Sequence, residues 1–284
     1  MEGTNLNQNI EISIIIPLYN REKSIERLLK KISEQEYDLQ KIEVIVSDDK
    51  STDQSLEIAK TYNQYIPNLV ILESTKNSGG ASVPRNKALE VAQGKWILFI
   101  DSDDYITTNA LKNAMNIAKN TNDDMICMPY FRDANSNRPI SRSAFCYKET
   151  KSNLKFENTK LYNTLNVIGK LIKRSIVEDY NIRFPEGIKV REDNWFLMQV
   201  YSVVNTITIL GYENDYYFYE TQDEVALTNS STPPRDAVKI YVAVYDFILN
   251  KTTMSTNRKQ DLLTIFLNRY VDMLSLIHIS EPTR

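Results

Sequence analysis

Through its first 130 residues the sequence alternates short apolar runs with stretches whose apolar residues recur at helical spacing. Ile12 to Ile16, Ile42 to Val46, Leu69 to Leu72, Trp96 to Ile100 and Met125 to Met128 have the length and near-continuous hydrophobicity of strands buried on both faces. Between the first two, Ile25, Leu28, Leu29 and Ile32 fall at i, i+3, i+4 and i+7, which predicts an amphipathic helix over Ser24 to Gln35. Asp53 is placed as the N-cap of a second helix, and Pro84 in the first turn of a third that runs to about Gln93. Leu111, Ala114, Met115 and Ala118 mark a fourth. Strands and helices alternating in this way predict an α/β fold with a mostly parallel central sheet covered by helices.

The rest of the chain is less regular. Residues 131–160 are polar with weak periodicity and read as an irregular excursion. A short helix is expected near Lys173 to Tyr180 and a longer one from Glu192 to Val204, followed by strand-like runs at Thr206 to Leu210 and Tyr216 to Tyr219. From Pro233 and Pro234 onward only helical periodicity remains, over Val238 to Leu249 and Asp261 to Leu274. The double proline therefore marks the expected boundary between a main domain, 1–232, and a helical C-terminal segment, 233–274. The closing "LSLIHISEPTR" matches nothing before it and resembles translated sequencing adapter, so 275–284 read as a non-native tail.

Composition removes several classes of function. A net charge of −3 over 284 residues gives no basis for binding nucleic acid. The N-terminus lacks a signal peptide and no apolar run is long enough to span a bilayer, so the chain reads as cytoplasmic, with peripheral contact at the inner face of the cell membrane left open. Cys127 and Cys146 read as thiols, and their spacing suits no metal site. The single histidine, His278, lies in the suspected tail, so acid and base work falls to carboxylates, Lys or Tyr.

In an open α/β sheet, ligands bind beyond the carboxyl ends of the strands. That rule gathers "PLYN", "SDDKSTD", "NSGGASVPRN" and "DSDD" around one crevice. Asp101 and Asp103, at the end of "WILFIDSDDY", are hard oxygen ligands that together with phosphates suit Mg2+ or Mn2+. The competing reading is that Asp103 or Asp104 caps the next helix. Gly79 and Gly80 permit close backbone approach. Arg85 either meets a phosphate at the helix start or is a solvated side chain. Tyr19 after Pro17, and Asp49, suit stacking on and hydrogen bonding to a base, although both are also common structural choices. Glu192 and Asp193 open a helix, where they either cap it or supply a proton acceptor.

In this order, "IIIPLYN", "VSDDKSTD", "NSGGASVPRN", "LFIDSDDY" and "REDNWF" resemble the family 2 glycosyltransferases of the GT-A fold, over about residues 11 to 228. The resemblance is nearest to the wall teichoic acid ribitol-phosphate N-acetylglucosaminyltransferases. It implies an inverting, metal-dependent transfer of a sugar from a UDP-sugar donor to a hydroxyl of a glycan or polyol-phosphate acceptor. It also implies roles: Pro17, Tyr19 and Asp49 on uracil, Asn77 and Arg85 on the nucleotide, and Asp101 and Asp103 on the metal (Mn2+ or Mg2+) and diphosphate. Glu192 would support the site and Asp193 would be the base. The stretch "YYFYETQDEVALTNS" departs from that subgroup, with Gln222 and Ala226 where an Arg and a His contact the diphosphate. The C-terminal helices would serve acceptor, membrane or homo-oligomer contacts. The alternative is a degenerate glycan-binding or nucleotide-sugar-binding protein of the same fold. Nucleotidyl transfer is disfavoured because "PLYN" stands where a Gly-rich loop is needed.

Overall fold

The computed structural model describes residues 10–131, 148–159, 161, 165–188, 191–211, 217–218, 234–251, 254–264 and 267. The expectations for Cys146, Gln222, Ala226, His278 and the tail 275–284 lie outside the described residues. The strands, in chain order, are β1 (Ile12–Leu18), β2 (Ile42–Asp48), β3 (Leu69–Glu73), β4 (Trp96–Phe99), β5 (Tyr105–Ile106), β6 (Met125–Cys127), β7 (Tyr130–Phe131), β8 (Lys151–Lys155), β9 (Lys170–Lys173), β10 (Thr206–Ile209) and β11 (Tyr217–Phe218). The helices are α1 (Ile25–Ser33), α2 (Ser55–Thr61), α3 (Ser82–Val91), α4 (Ala110–Asn120), α5 (Arg174–Asp179), α6 (Glu192–Val203) and α7 (Pro234–Asn250).

Eight strands form the main sheet in the order β3-β2-β1-β4-β9-β6-β10-β8, and β5-β11-β7 form a small second sheet. β3, β2, β1 and β4 run parallel, and every residue of β1, β2 and β4 is buried, as a sheet covered on both faces requires. α1 turns Ile25, Leu28, Leu29 and Ile32 into the core, as their spacing predicts. Ile240, Tyr241, Val244 and Ile248 of α7 join the same core, with α7 packed on α6. Among the described residues no helix is long and apolar enough to cross a membrane.

The structure corrects four local expectations. β9 was not anticipated, yet it lies between β4 and β6 and runs antiparallel to both. Its sequence, KLIK, has a charged residue at each end and a glycine before it, which hides a buried strand from a hydrophobicity pattern. β8 falls in the stretch expected to be irregular; its KSNLK is largely exposed and is held by antiparallel pairing to β10 rather than by apolar side chains. α2 has Gln54 rather than Asp53 at its N-cap, although Asp53 still accepts the Ser55 N–H at 2.9 Å. Asp103 and Asp104 do not cap the next helix, because β5 intervenes and Asn109 stands at the N-cap of α4.

Gly94, between α3 and β4, is set by close packing. Its N–H donates to Ser13 Oγ at 2.7 Å, and Ser13 Oγ–H donates in turn to buried Glu43 at 2.7 Å. A Cβ at Gly94 would sit 2.4 Å from Ser13 N and 2.6 Å from Ile12 C, where backbone cannot yield without moving β1. Gly94→Ala is therefore expected to destabilise the fold by about 1–3 kcal/mol. Urea unfolding checks this, and an unchanged midpoint and slope would contradict it.

Candidate active site

Because β1, β2 and β4 are parallel, their carboxyl ends and the loops that follow lie on one edge of the sheet. β4 continues through buried Ile100, whose N–H donates to Ile15 O at 3.0 Å, into a turn closed by the Asp104 N–H on Asp101 O at 3.0 Å. Asp101 is the first residue past the buried strand.

Arg85, in the first turn of α3, is only 2% exposed and forms the centre of the site. Its Nη2 donates to Asp101 Oδ1 at 2.7 Å, and its Nη1 donates to Asp193 Oδ1 at 2.8 Å and Glu192 Oε1 at 3.0 Å. The guanidinium lies over the Phe184 ring, 5.0 Å from its centroid. Asp193 is held on its other oxygen as well, since the Val167 N–H donates to Oδ2 at 3.2 Å.

Three carboxylates around one guanidinium leave excess negative charge. Burial and the adjacent Asp193 charge push Glu192 up to about 7, against the pull of Arg85. Burial likewise raises Asp193, with Arg85 opposing it and Asp101 adding to it. Burial works against the Arg85 cation, but Asp193, Asp101 and Glu192 outweigh it and hold Arg85 above its ordinary value.

The backbone entering α6 is unusual. Arg191 precedes Glu192 with φ +65, a left-handed conformation that costs a non-glycine residue energy. Tyr241 of α7 braces it: Arg191 Nη1 donates to its hydroxyl at 3.0 Å, and the guanidinium lies 5.5 Å from its ring centroid.

A second cluster joins the loops after β2 and β3. Asp49 is 2% exposed, and its Oδ2 accepts from the Ser78 N–H at 2.8 Å and the Ser78 hydroxyl at 2.9 Å. Asn77 Nδ2 donates to Asp49 O, and its Oδ1 accepts the Gly79 N–H, both at 2.9 Å. Gly79 has φ +82, which explains a glycine there. Asp49 Oδ1 is buried without a donor among the described residues. Ser78, Gly79, Gly80, Ser82 and Val83 face Gly187 and Ile188 across an open cleft. Pro17 is buried within β1 opposite Ser47, and Tyr19 stands exposed just beyond the strand.

Thus Arg85, Asp101, Glu192 and Asp193 meet directly, whereas Asp49 and Asn77 form their own cluster. Asp103 is turned toward Arg21, with Oδ2 3.5 Å from Nε, and its carbonyl accepts from Arg27 Nη2 at 2.9 Å. Arg21, Phe184 and the Val167 N–H had no signal in the sequence, since each acts through long-range placement. Among the described residues no three His, Cys, Asp or Glu side chains converge as a metal cage. Asp101 and Asp103 nevertheless fit a cation shared with phosphates: both are partly exposed hard-oxygen donors on one turn, and among the described residues the Asp101 carboxylate uses only Oδ1 toward the protein.

A mixed sheet whose parallel strands β3, β2, β1 and β4 end in an acidic turn, with a second acidic pair opening α6, has the architecture of the GT-A fold. The model for "Glycosyl transferase family 2" matches residues 13–180, and the chain belongs to this family. It is 36% identical over 265 residues to the poly(ribitol-phosphate) beta-glucosyltransferase of Bacillus spizizenii, covering 93% of this chain and 40% of that protein. It is 33% identical over 261 residues to the poly(ribitol-phosphate) beta-N-acetylglucosaminyltransferase TarS of Staphylococcus aureus, covering 92% of this chain and 44% of that protein. The chain therefore spans less than half the length of these relatives. The crystal structure of S. aureus TarS 1–349 in complex with UDP-GlcNAc matches with a TM-score of 0.84 at 31% identity, over 93% of this chain and 73% of that one.

The raised Glu192 has a thermodynamic consequence. Between about pH 4.5 and 7 the native state binds more proton at this site than the unfolded chain, so Glu192 makes stability fall as pH rises through that window. Glu192→Gln removes the titration while keeping an acceptor for Arg85, so its stability should decline less from pH 5 to pH 7 than that of the wild type. Urea unfolding at the two pH values measures the difference, and parallel declines would contradict the assignment.

Proposed function

We propose that this chain carries the catalytic domain of a UDP-sugar-dependent glycosyltransferase that moves glucose or N-acetylglucosamine, with inversion, to a hydroxyl of a poly(ribitol-phosphate) acceptor. The observation that carries the reading is the placement of Asp193. It sits beside Asp101 on the same guanidinium, so a proton acceptor stands next to the turn that would hold the donor's diphosphate. The names of the two relatives supply the acceptor class and the two sugars, and the UDP-GlcNAc complex of TarS supplies the donor class.

On this reading the Pro17, Tyr19 and Asp49 end of the crevice receives uracil, and the unpaired Asp49 Oδ1 offers an acceptor for its imide N–H. Asn77 shapes the loop against which the nucleoside lies. Asp101 and Asp103 hold Mn2+ or Mg2+, which when bound neutralises charge gathering on the departing UDP. Arg85 keeps Asp101 and Asp193 at fixed separation, so the acceptor hydroxyl and the donor are presented in line. Asp193 takes the proton from that hydroxyl as its oxygen attacks the anomeric carbon from the face opposite the diphosphate. Burial raises its basicity toward the working pH, which suits a general base. Glu192, carrying a proton over part of that range, spares Asp193 a full like charge beside it. The reading places the reaction in the cytoplasm, with the polymer reached at the inner face of the cell membrane.

The test is transfer from labelled UDP-glucose and UDP-N-acetylglucosamine to poly(ribitol-phosphate), with Mn2+ or Mg2+ supplied. Asp193→Asn should lose roughly 10²–10⁴-fold in rate while keeping metal-dependent UDP binding. Asp101→Asn should lose both. Full transfer by Asp193→Asn would remove it as the base, and failure of the unaltered chain to bind UDP would sink the whole reading.

A further inference from the structure

Lys170 is wholly buried, 0% exposed, at the first position of β9 and opposite Cys127 of β6. An ammonium removed from water carries a penalty of several kcal/mol unless acceptors surround it. Among the described residues Lys170 Nζ finds them in one short stretch of chain: it donates to Asn166 O at 2.6 Å, Asn166 Oδ1 at 3.3 Å and Ile168 O at 3.4 Å. This turn reverses into β9 through Gly169, at φ +63. The residue between the two carbonyl acceptors of that clamp is Val167, whose N–H meets Asp193 Oδ2 at 3.2 Å.

We propose that Lys170 is a positioning residue for the base, its ammonium gathering the carbonyls of Asn166 and Ile168 so that the Val167 N–H between them is aimed at Asp193. The inference rests on the reading of Asp193 as proton acceptor. With Arg85 on Oδ1 and Val167 on Oδ2, both carboxylate oxygens are fixed, and each keeps a lone pair for an incoming hydroxyl. The turn is anchored on its outer side too, where Asn166 Nδ2 donates to the Tyr130 hydroxyl at 3.2 Å. Lys170 also acts on the base through its charge. Burial raises Asp193, Arg85 draws it back down most strongly, and Lys170 adds to that downward pull. A neutral side chain of the same length would loosen the turn and remove that pull together.

The experiment compares wild type, Lys170→Met and Asp193→Asn by steady-state kinetics across pH, with amide exchange followed at Val167. Lys170→Met should lower kcat by roughly ten- to a hundredfold with the donor KM within about twofold of wild type. The acidic limb of its kcat profile should move up by about half to one pH unit, and Val167 exchange should quicken. A folded Lys170→Met with wild-type kcat and an unmoved limb overturns the proposal. If that variant does not fold, Asn166→Ala takes its place, since it removes one ammonium acceptor and the Tyr130 tie at a half-buried position. It should lower kcat and raise the acidic limb in the same sense, and wild-type values overturn the proposal equally. Full activity in Asp193→Asn overturns the base and the Lys170 role together, whereas loss of activity there beside an unchanged Lys170→Met overturns the Lys170 role alone.

Discussion

Arg85 holds the site together because a single planar fork reaches carboxylates that lie 16, 107 and 108 residues from it in the sequence. A guanidinium 2% exposed would be costly if left without anions, and two of these carboxylates, themselves largely buried, would be costly without it. Each therefore depends on the others being in place. The one guanidinium does not neutralise three carboxylates, and burial together with the adjacent Asp193 charge pushes Glu192 up to about 7. On the proposed function, a diphosphate brought to the Asp101 turn would add further negative charge, which a divalent cation there would offset.

The scaffold makes this convergence rigid. β1, β2 and β4 end side by side because they are parallel, and the Gly94 contact with β1 fixes the connection from α3 into β4. α6 brings Glu192 and Asp193 from the opposite side, entering through the left-handed Arg191 that Tyr241 supports. The last described long helix thus reaches the site through one tyrosine, although it is remote in sequence. Such strain is tolerated where surrounding contacts over-determine the backbone, and the Arg191 to Tyr241 contact is one of them.

Most of the sheet was legible because strands buried on both faces are mostly apolar: β4 is wholly so, β1 departs only at Ser13, and β2 at Glu43, Ser47 and Asp48. β9 was hidden because its first buried residue is Lys170, whose burial is made tolerable by carbonyl groups that no periodicity reveals. β8 was hidden for the opposite reason, since an exposed edge strand needs ladder hydrogen bonds and no apolar face. In the site, the acidic turn after β4 and the acidic pair opening α6 stood out because carboxylates at those positions break the surrounding pattern. Arg85 was legible as a charged residue at a helix start, but its direction was not: it faces Asp101, Glu192 and Asp193.

By itself the sequence determined the α/β class, the crevice edge and the family, because these follow from local periodicity and from motifs short enough to be contiguous. Only the tertiary structure decided which carboxylates share a cation, that Asp103 turns to Arg21, and that a backbone N–H at Val167 braces Asp193. Those are distances between residues far apart in the chain. They are set by how strands, turns and helices pack, and a buried charge finds its partner only once that packing exists.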